Sequence, residues 1–196
     1  MDAQLLDYLN ASRFTREEVL AQPTPVPRSP GAYGWWFNVM PHAEIDAKNC
    51  ERQGDWVLLY AGISPSRPKS VGTGASEQSV RSRLRAHCRG DASTSTLRLT
   101  LGCLLADELG IELRQHGTGG RFHFGEQESV LSAWMSEHAQ VSWIVDEKPW
   151  ELEDYLISSL DLPLNLQGNS CHEFHDRLSA IRRDAKAAAR GLPLVA

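Results

Sequence analysis

Two phenols, a guanidinium, an imidazole and a carboxylate stand out in this sequence because of the residues around them. Tyr33 ends the triplet Gly31-Ala32-Tyr33 at the start of an aromatic run, and Tyr60 opens Tyr60-Ala61-Gly62 at the end of an apolar one. Arg83 and His87 lie four apart within Val80-Arg81-Ser82-Arg83-Leu84-Arg85-Ala86-His87, so on a helix they face the same way. Glu153 begins Glu153-Asp154-Tyr155-Leu156-Ile157, with Pro163 and Asn165 downstream. Taken singly, each has a plain structural reading: core tyrosine, helix-face histidine, surface arginine, solvated glutamate. As a set they match the needs of phosphodiester hydrolysis, in which water is activated, a five-coordinate phosphorus is stabilised and the leaving oxygen is neutralised. The planar fork of an arginine fits non-bridging phosphate oxygens in a way lysine cannot reproduce. One carboxylate is enough to anchor a hydrated Mg²⁺, which keeps several waters and acts as a Lewis acid. A phenol can align or deprotonate the attacking water where neighbouring charge lowers its pKa from about 10. Residue type leaves open which tyrosine does so.

The elements that must position these groups follow from patterning. Leu5, Leu6 and Leu9 on one face, with Thr15 and Glu18 spaced as a capping box, predict a helical arm over Met1 to Gln22. Pro23, Pro25, Pro27 and Pro30 then forbid continued helix. The runs Ala32 to Phe37 and Trp56 to Ala61 are β-prone and predict paired strands, and the polar Asn38 to Asp55 is too long for a tight turn. Ser64 to Gln78, with Pro65, Pro68, Gly72 and Gly74, predicts a loop, followed by a helix over Ser79 to Arg89. Beyond it the pattern predicts a helix over Ser95 to Leu109 stopped by Gly110, a strand over Ile111 to Gln115, a helix near Glu126 to His138 and a strand over Val141 to Val145. Pro149 opens a helix carrying Trp150 to Leu160, and His172 to Arg190 forms the last one. Trp35, Trp36, Trp134, Trp143 and Trp150 read as core or sheet cover.

In order and local context, Gly31-Ala32-Tyr33, Tyr60-Ala61-Gly62, Arg83 and the Glu153 segment resemble the GIY-YIG nuclease family, over about Pro30 to Asn165. The segment from Glu153 through Leu156-Ile157 to Pro163 and Asn165 is similar to the glutamate helix of the nucleotide-excision-repair nuclease. The histidine at i+4 from Arg83 is found in some homing endonucleases. The chain departs from the pattern in three ways: alanine stands at the centre of both name motifs, the Tyr33 to Tyr60 interval is long, and Ser64 to Gln78 precedes the arginine helix. A residue at either motif centre points to the sheet face opposite its tyrosine, so alanine is tolerable there.

The resemblance implies an α/β fold of the α+β kind, with a small, mainly antiparallel sheet flanked by helices and extra N- and C-terminal helices. It implies a nuclease domain over 23–168, a helical arm at 1–22 and a helical extension over 169–196 packed on that domain. It also implies an endonuclease that hydrolyses DNA with one Mg²⁺ or Mn²⁺ held by Glu153, Arg83 clamping the phosphate and Tyr33 or Tyr60 activating water. His87 would contact the scissile phosphate or relay a proton. Asn165 would touch the phosphate backbone or cap the glutamate helix. Arg81 and Arg85 compete with Arg83 for the clamp. With Arg89, Arg98, Arg67 and Lys69 they form a basic cluster suited to a phosphate backbone, which Arg182, Arg183, Lys186 and Arg190 extend.

Composition limits the alternatives. A net charge of −5 excludes a protein that coats nucleic acid indiscriminately, so local charge must do any binding. Its 41% hydrophobic content over 196 residues supports one substantial core. Cys50, Cys88, Cys103 and Cys171 are scattered singly, without C-x-x-C spacing, and read as reduced thiols; Cys171, His172 and His175 lack a distant partner pair for a transition metal. No apolar run approaches bilayer length, so the expectation is a cytoplasmic protein; a monomer and a homodimer are both left open. The acidic charge and the two insertions also motivate a second reading, a catalytically silent nucleic-acid-binding or protein-interaction module on the same scaffold.

Overall fold

The computed structural model describes residues 3–67, 78–117 and 120–194. The chain begins with α1 (Ala3–Leu9), β1 (Arg13–Thr15) and α2 (Arg16–Leu20), then lays down β2 (Gly31–Phe37), β3 (Arg52–Gln53) and β4 (Trp56–Ser64). Next come α3 (Val80–Arg89), α4 (Thr96–Leu104), α5 (Ala106–Leu109), the ribbon β5 (Arg114–His116) and β6 (Arg121–His123), and α6 (Glu128–His138). It finishes with β7 (Ala139–Val145), α7 (Pro149–Ser159) and α8 (His175–Arg190). The described residues form a mixed α/β fold around an antiparallel sheet of order β1-β7-β2-β4-β3, flanked by helices.

Strand β2 is buried at every position because both faces of the sheet are covered. Tyr33, Trp35 and Phe37 point into the larger core with Leu59, Leu84, Leu97 and Leu131. Ala32 and Trp36 point the other way, into a core shared with Leu58, Ala61, Tyr8 and Leu156. This period-two alternation explains why alanine serves at the centre of both tyrosine motifs: Ala32 and Ala61 pack under α1 and α7, away from the phenols. Between Trp35↔Tyr60 and Trp36↔Leu58 the register shifts, which leaves Leu59 as a bulge. The bulge lets Leu59 and Tyr60 both pack toward the larger core.

The outer edge of β4 needs cover, because β3 pairs only with Trp56 and Val57. The segment after α7 supplies it. Leu164 N donates to Leu59 O at 3.0 Å, and the Asn165 side chain accepts from Ala61 N at 2.9 Å and donates to Ala61 O at 2.8 Å. An amide side chain thus takes the place of a strand neighbour on an otherwise open edge.

Several expectations are corrected. The N-terminal segment is helix, strand and helix in place of a continuous helix: Arg13–Thr15 pairs with β7, and Phe14 stacks on Trp143 with centroids 4.4 Å apart. The capping box itself is present, with Glu18 N donating to Thr15 Oγ1 and Thr15 N to Glu18 Oε2. The helix expected over Ser95 to Leu109 breaks at Leu105, and Gly110 ends its second part with φ 61°. The strand expected at Ile111 to Gln115 is shifted to Arg114–His116 and pairs with β6 in a separate ribbon. Arg98, expected in a solvent-facing basic cluster, is fully buried: its Nη2 and Nε donate to Glu128 Oε2 at 2.6 and 3.0 Å, and its Nη1 to His87 O at 3.3 Å. One guanidinium therefore joins α3, α4 and α6. The insertion 38–55 packs inward through Ile45, Ala47 and Cys50, and Glu44 pairs with Arg177 of α8 at 2.7 Å. The four cysteines are free, three of them buried. Among the described residues no helix is long and apolar enough to cross a membrane.

Candidate active site

Strands β2 and β4 pair so that Tyr33 faces Gly62 and Trp35 faces Tyr60. The glycine is a steric requirement, since a Cβ at position 62 would lie 2.6 Å from the Tyr33 hydroxyl oxygen. Helix α3 crosses the same end of the sheet, its start fixed by Ser79 and Ser82, each of whose side chains accepts from the other's backbone N–H. Helix α7, opened by Pro149, packs along β4 and β2 from the opposite face. Between them lies a cavity of about 380 Å³ whose wall includes Tyr33, Tyr60, Gly62, Arg83 and Glu153, with Arg67, Thr96, Asp154 and Gln167 around them. Four residues that are far apart in sequence therefore share one space.

Arg83 and His87 converge on the hydroxyl of Tyr33. Arg83 Nε donates to it at 3.3 Å, and His87 Nε2 lies 2.9 Å from it. The far side of the imidazole is held by Ser95, whose Oγ is 2.6 Å from Nδ1 and also accepts from Arg98 N at 3.1 Å. Burial, reinforced by the Arg83 and Arg98 charges, pushes the His87 pKa well below its ordinary value, so the ring is neutral. Burial also raises the Tyr33 pKa, with Tyr60 adding to the rise and Arg83 opposing it. Tyr60 is raised by burial as well, with Thr96 and Arg83 pulling the other way. Burial works against the Arg83 charge, but the two tyrosines outweigh it and its pKa rises. Arg83 Nη1 also donates to Thr94 O at 3.2 Å, which fixes the guanidinium beside the cavity.

Glu153 is the carboxylate of the cavity that is not already engaged: among the described residues it has no hydrogen bond, whereas neighbouring Asp154 pairs with Arg67. Burial raises its pKa, Asp154 adds to the rise and Arg67 opposes it. A half-buried, unpaired carboxylate facing a polar cavity is a fitting anchor for a hydrated divalent cation. Among the described residues, no group of three or more histidine, cysteine or acidic side chains converges to hold a metal.

The other expected site residues do not line this cavity, although Asn165 lines an adjoining one that shares Tyr60 and Glu153 with it. His87 is fully buried and reaches the cavity only through Tyr33. Arg81 Nε is bound to Val26 O at 2.6 Å, Arg85 is half-buried with Nε unpartnered among the described residues, and Arg89 is exposed at the end of α3. None of the three lines the cavity, so Arg83 is the arginine of α3 that faces it. The Asn165 amide is occupied by Ala61, as the edge pairing requires. Lys69 lies outside the described residues. Sequence reasoning missed Thr96 and Gln167 in the cavity wall and Ser95 behind His87. The only hint was the start of a helix at Ser95, whose cap position places its hydroxyl beside α3.

A family model described as the GIY-YIG catalytic domain matches residues 31–184. No curated protein and no solved structure matches the chain.

Proposed function

Since the chain belongs to the GIY-YIG catalytic domain family, whose function is of the nuclease type, we propose that it is an endonuclease that hydrolyses DNA with the help of a divalent cation, Mg²⁺ or Mn²⁺. The observation that carries this reading is the meeting of Tyr33, Tyr60, Arg83 and Glu153 around one cavity. In this reading 23–168 carries the chemistry, and 1–22 and 169–196 support it.

Glu153 holds the cation, which when bound supplies Lewis-acid stabilisation of the phosphate and of the leaving oxygen. Arg83 places its free N–H groups on the non-bridging oxygens, where charge grows in the transition state. Tyr33 activates the water. Its hydroxyl already accepts from Arg83, so with His87 protonated on Nδ1 its own proton points to Nε2 and a lone pair is left for the incoming water. As the water gives up its proton to Tyr33, Tyr33 hands its own to neutral His87. A phosphate bound against Arg83 offsets one of the charges that depress His87 and so favours the transfer. His87 acts through Tyr33 and is a positioning and relay residue, while Tyr60, whose ring centroid lies 6.5 Å from that of Tyr33, orients the phosphate beside it.

The test is to incubate the purified protein with plasmid, single-stranded DNA and RNA, with Mg²⁺, Mn²⁺ or EDTA. Metal-dependent cutting of DNA that EDTA stops is expected. Binding without cutting under every condition would identify a silent module instead. Of the two insertions that motivate that alternative, 38–55 contributes no residue to the cavity wall, whereas Ser66, Arg67 and Gln78 of the stretch before α3 line it.

A further inference from the structure

The cations of α8 fall into two sets. Arg177 pairs with Glu44 at 2.7 Å and Arg183 with Asp184 at 3.1 Å. Arg182, Lys186 and Arg190 recur every fourth residue, so they share a face and climb the helix by about 6 Å per step. That interval is on the scale of the separation between consecutive phosphates of a strand. Among the described residues none of the three has a carboxylate within ion-pair distance.

This face begins at the active site. Arg182 is half-buried in the wall of a second cavity, of about 340 Å³, which shares Tyr60, Thr96, Glu153 and Gln167 with the first. Its Nη1 donates to Thr100 Oγ1 at 3.3 Å, a neutral and weak partner for a guanidinium. One turn on, Lys186 Nζ lies 5.8 Å from the centroid of the Phe122 ring on β6; after a further turn Arg190 Cζ lies 5.3 Å from it. Lys186 feels both neighbours: burial lowers its pKa first, and Arg182 and Arg190 lower it further. Three cations on one helix face, none of them with a carboxylate within ion-pair distance among the described residues, on a protein of net charge −5, are stabilised by a ligand that carries repeated negative charge.

Building on the nuclease reading of the adjoining cavity, we propose that the Arg182–Lys186–Arg190 face of α8 carries the phosphate backbone of a DNA strand out of the catalytic cleft. Arg182 takes the phosphate next to the scissile one, and Lys186 and Arg190, steadied on Phe122, take those beyond it. These are backbone contacts and carry no base preference.

The experiment measures binding of a short fluorescent DNA duplex across a range of salt concentrations, with EDTA present. It compares the wild-type chain, the triple variant Arg182→Ala/Lys186→Ala/Arg190→Ala, the charge-conserving Arg182→Lys, and Arg183→Ala as a control on the same helix; thermal melts verify folding. Each lost phosphate contact flattens the slope of log K against log salt by about 0.9, so the triple variant should lose about 2 to 3 units of slope. Arg182→Lys and Arg183→Ala should keep the wild-type slope. A folded triple variant with unchanged affinity and slope overturns the proposal, and if the wild type still cuts DNA the nuclease reading survives. If the slope falls as expected but the wild type never cuts, the nuclease reading fails and the strand path stands. A wild type that neither binds nor cuts DNA overturns both.

Discussion

The hydroxyl of Tyr33 lies 2.9 Å from Nε2 of His87, and both groups are closed off from bulk solvent. The contact joins the first strand of the site to its first helix and gives a phenol of raised pKa a neutral acceptor for its proton. Tyr60 differs in its surroundings: its side-chain neighbour is the Thr96 hydroxyl in place of an imidazole.

Tyr33→Phe removes the hydroxyl that, in the proposed function, would meet the water, and should lower kcat by about 10²- to 10⁴-fold with little change in DNA affinity. His87→Ala should lose turnover as well, and His87→Gln, which retains an acceptor, should recover part of it. Single-turnover cleavage beside a binding titration checks this. Equal loss of kcat and affinity in Tyr33→Phe would assign the residue to docking.

Stability should fall in mild acid because of His87. Its folded-state pKa lies well below the unfolded value of about 6.5, so above that pH the ring is neutral in both states and its contribution is complete. Below that pH the unfolded chain takes up a proton that the folded chain refuses, and stability declines until the folded pKa is passed. Melting temperatures measured from about pH 7 down to about pH 5 should therefore drop, and His87→Phe should flatten the dependence. A wild-type curve as flat as that of the variant would contradict this account.

The buried Arg98–Glu128 pair should be costly to break. Glu128→Ala leaves a guanidinium with 0% exposure without its carboxylate, and a loss of about 3–5 kcal/mol in denaturant unfolding is expected. Replacing both residues with apolar ones of similar volume should restore much of that loss. If Glu128→Ala costs no more than an exposed pair, the ion pair does not join α3, α4 and α6 as described.

What the sequence made legible was mostly local. The Thr15 and Glu18 cap, the β-prone runs around Tyr33 and Tyr60, Pro149 opening α7 and the shared face of Arg83 and His87 depend on neighbours within a turn or a strand. What it concealed depends on partners far along the chain. Strand β1 exists because Arg13–Thr15 finds β7 and Phe14 finds Trp143, and no three-residue pattern announces that. Arg98 looks like one more charge in a basic run until Glu128 is folded against it. Asn165 reads as a phosphate contact or a cap of the glutamate helix, and only the fold shows that Ala61, on the strand edge beside it, takes both ends of its amide.

Cleavage by Glu153→Ala, compared with the wild type across Mg²⁺ and Mn²⁺ concentrations, tests the central claim most directly, because in the proposed function this carboxylate would hold the cation on which the hydrolysis depends. The account predicts a folded protein that binds DNA with near wild-type affinity and cuts it at no measurable rate at any metal concentration. Full cutting by a folded Glu153→Ala protein would contradict it.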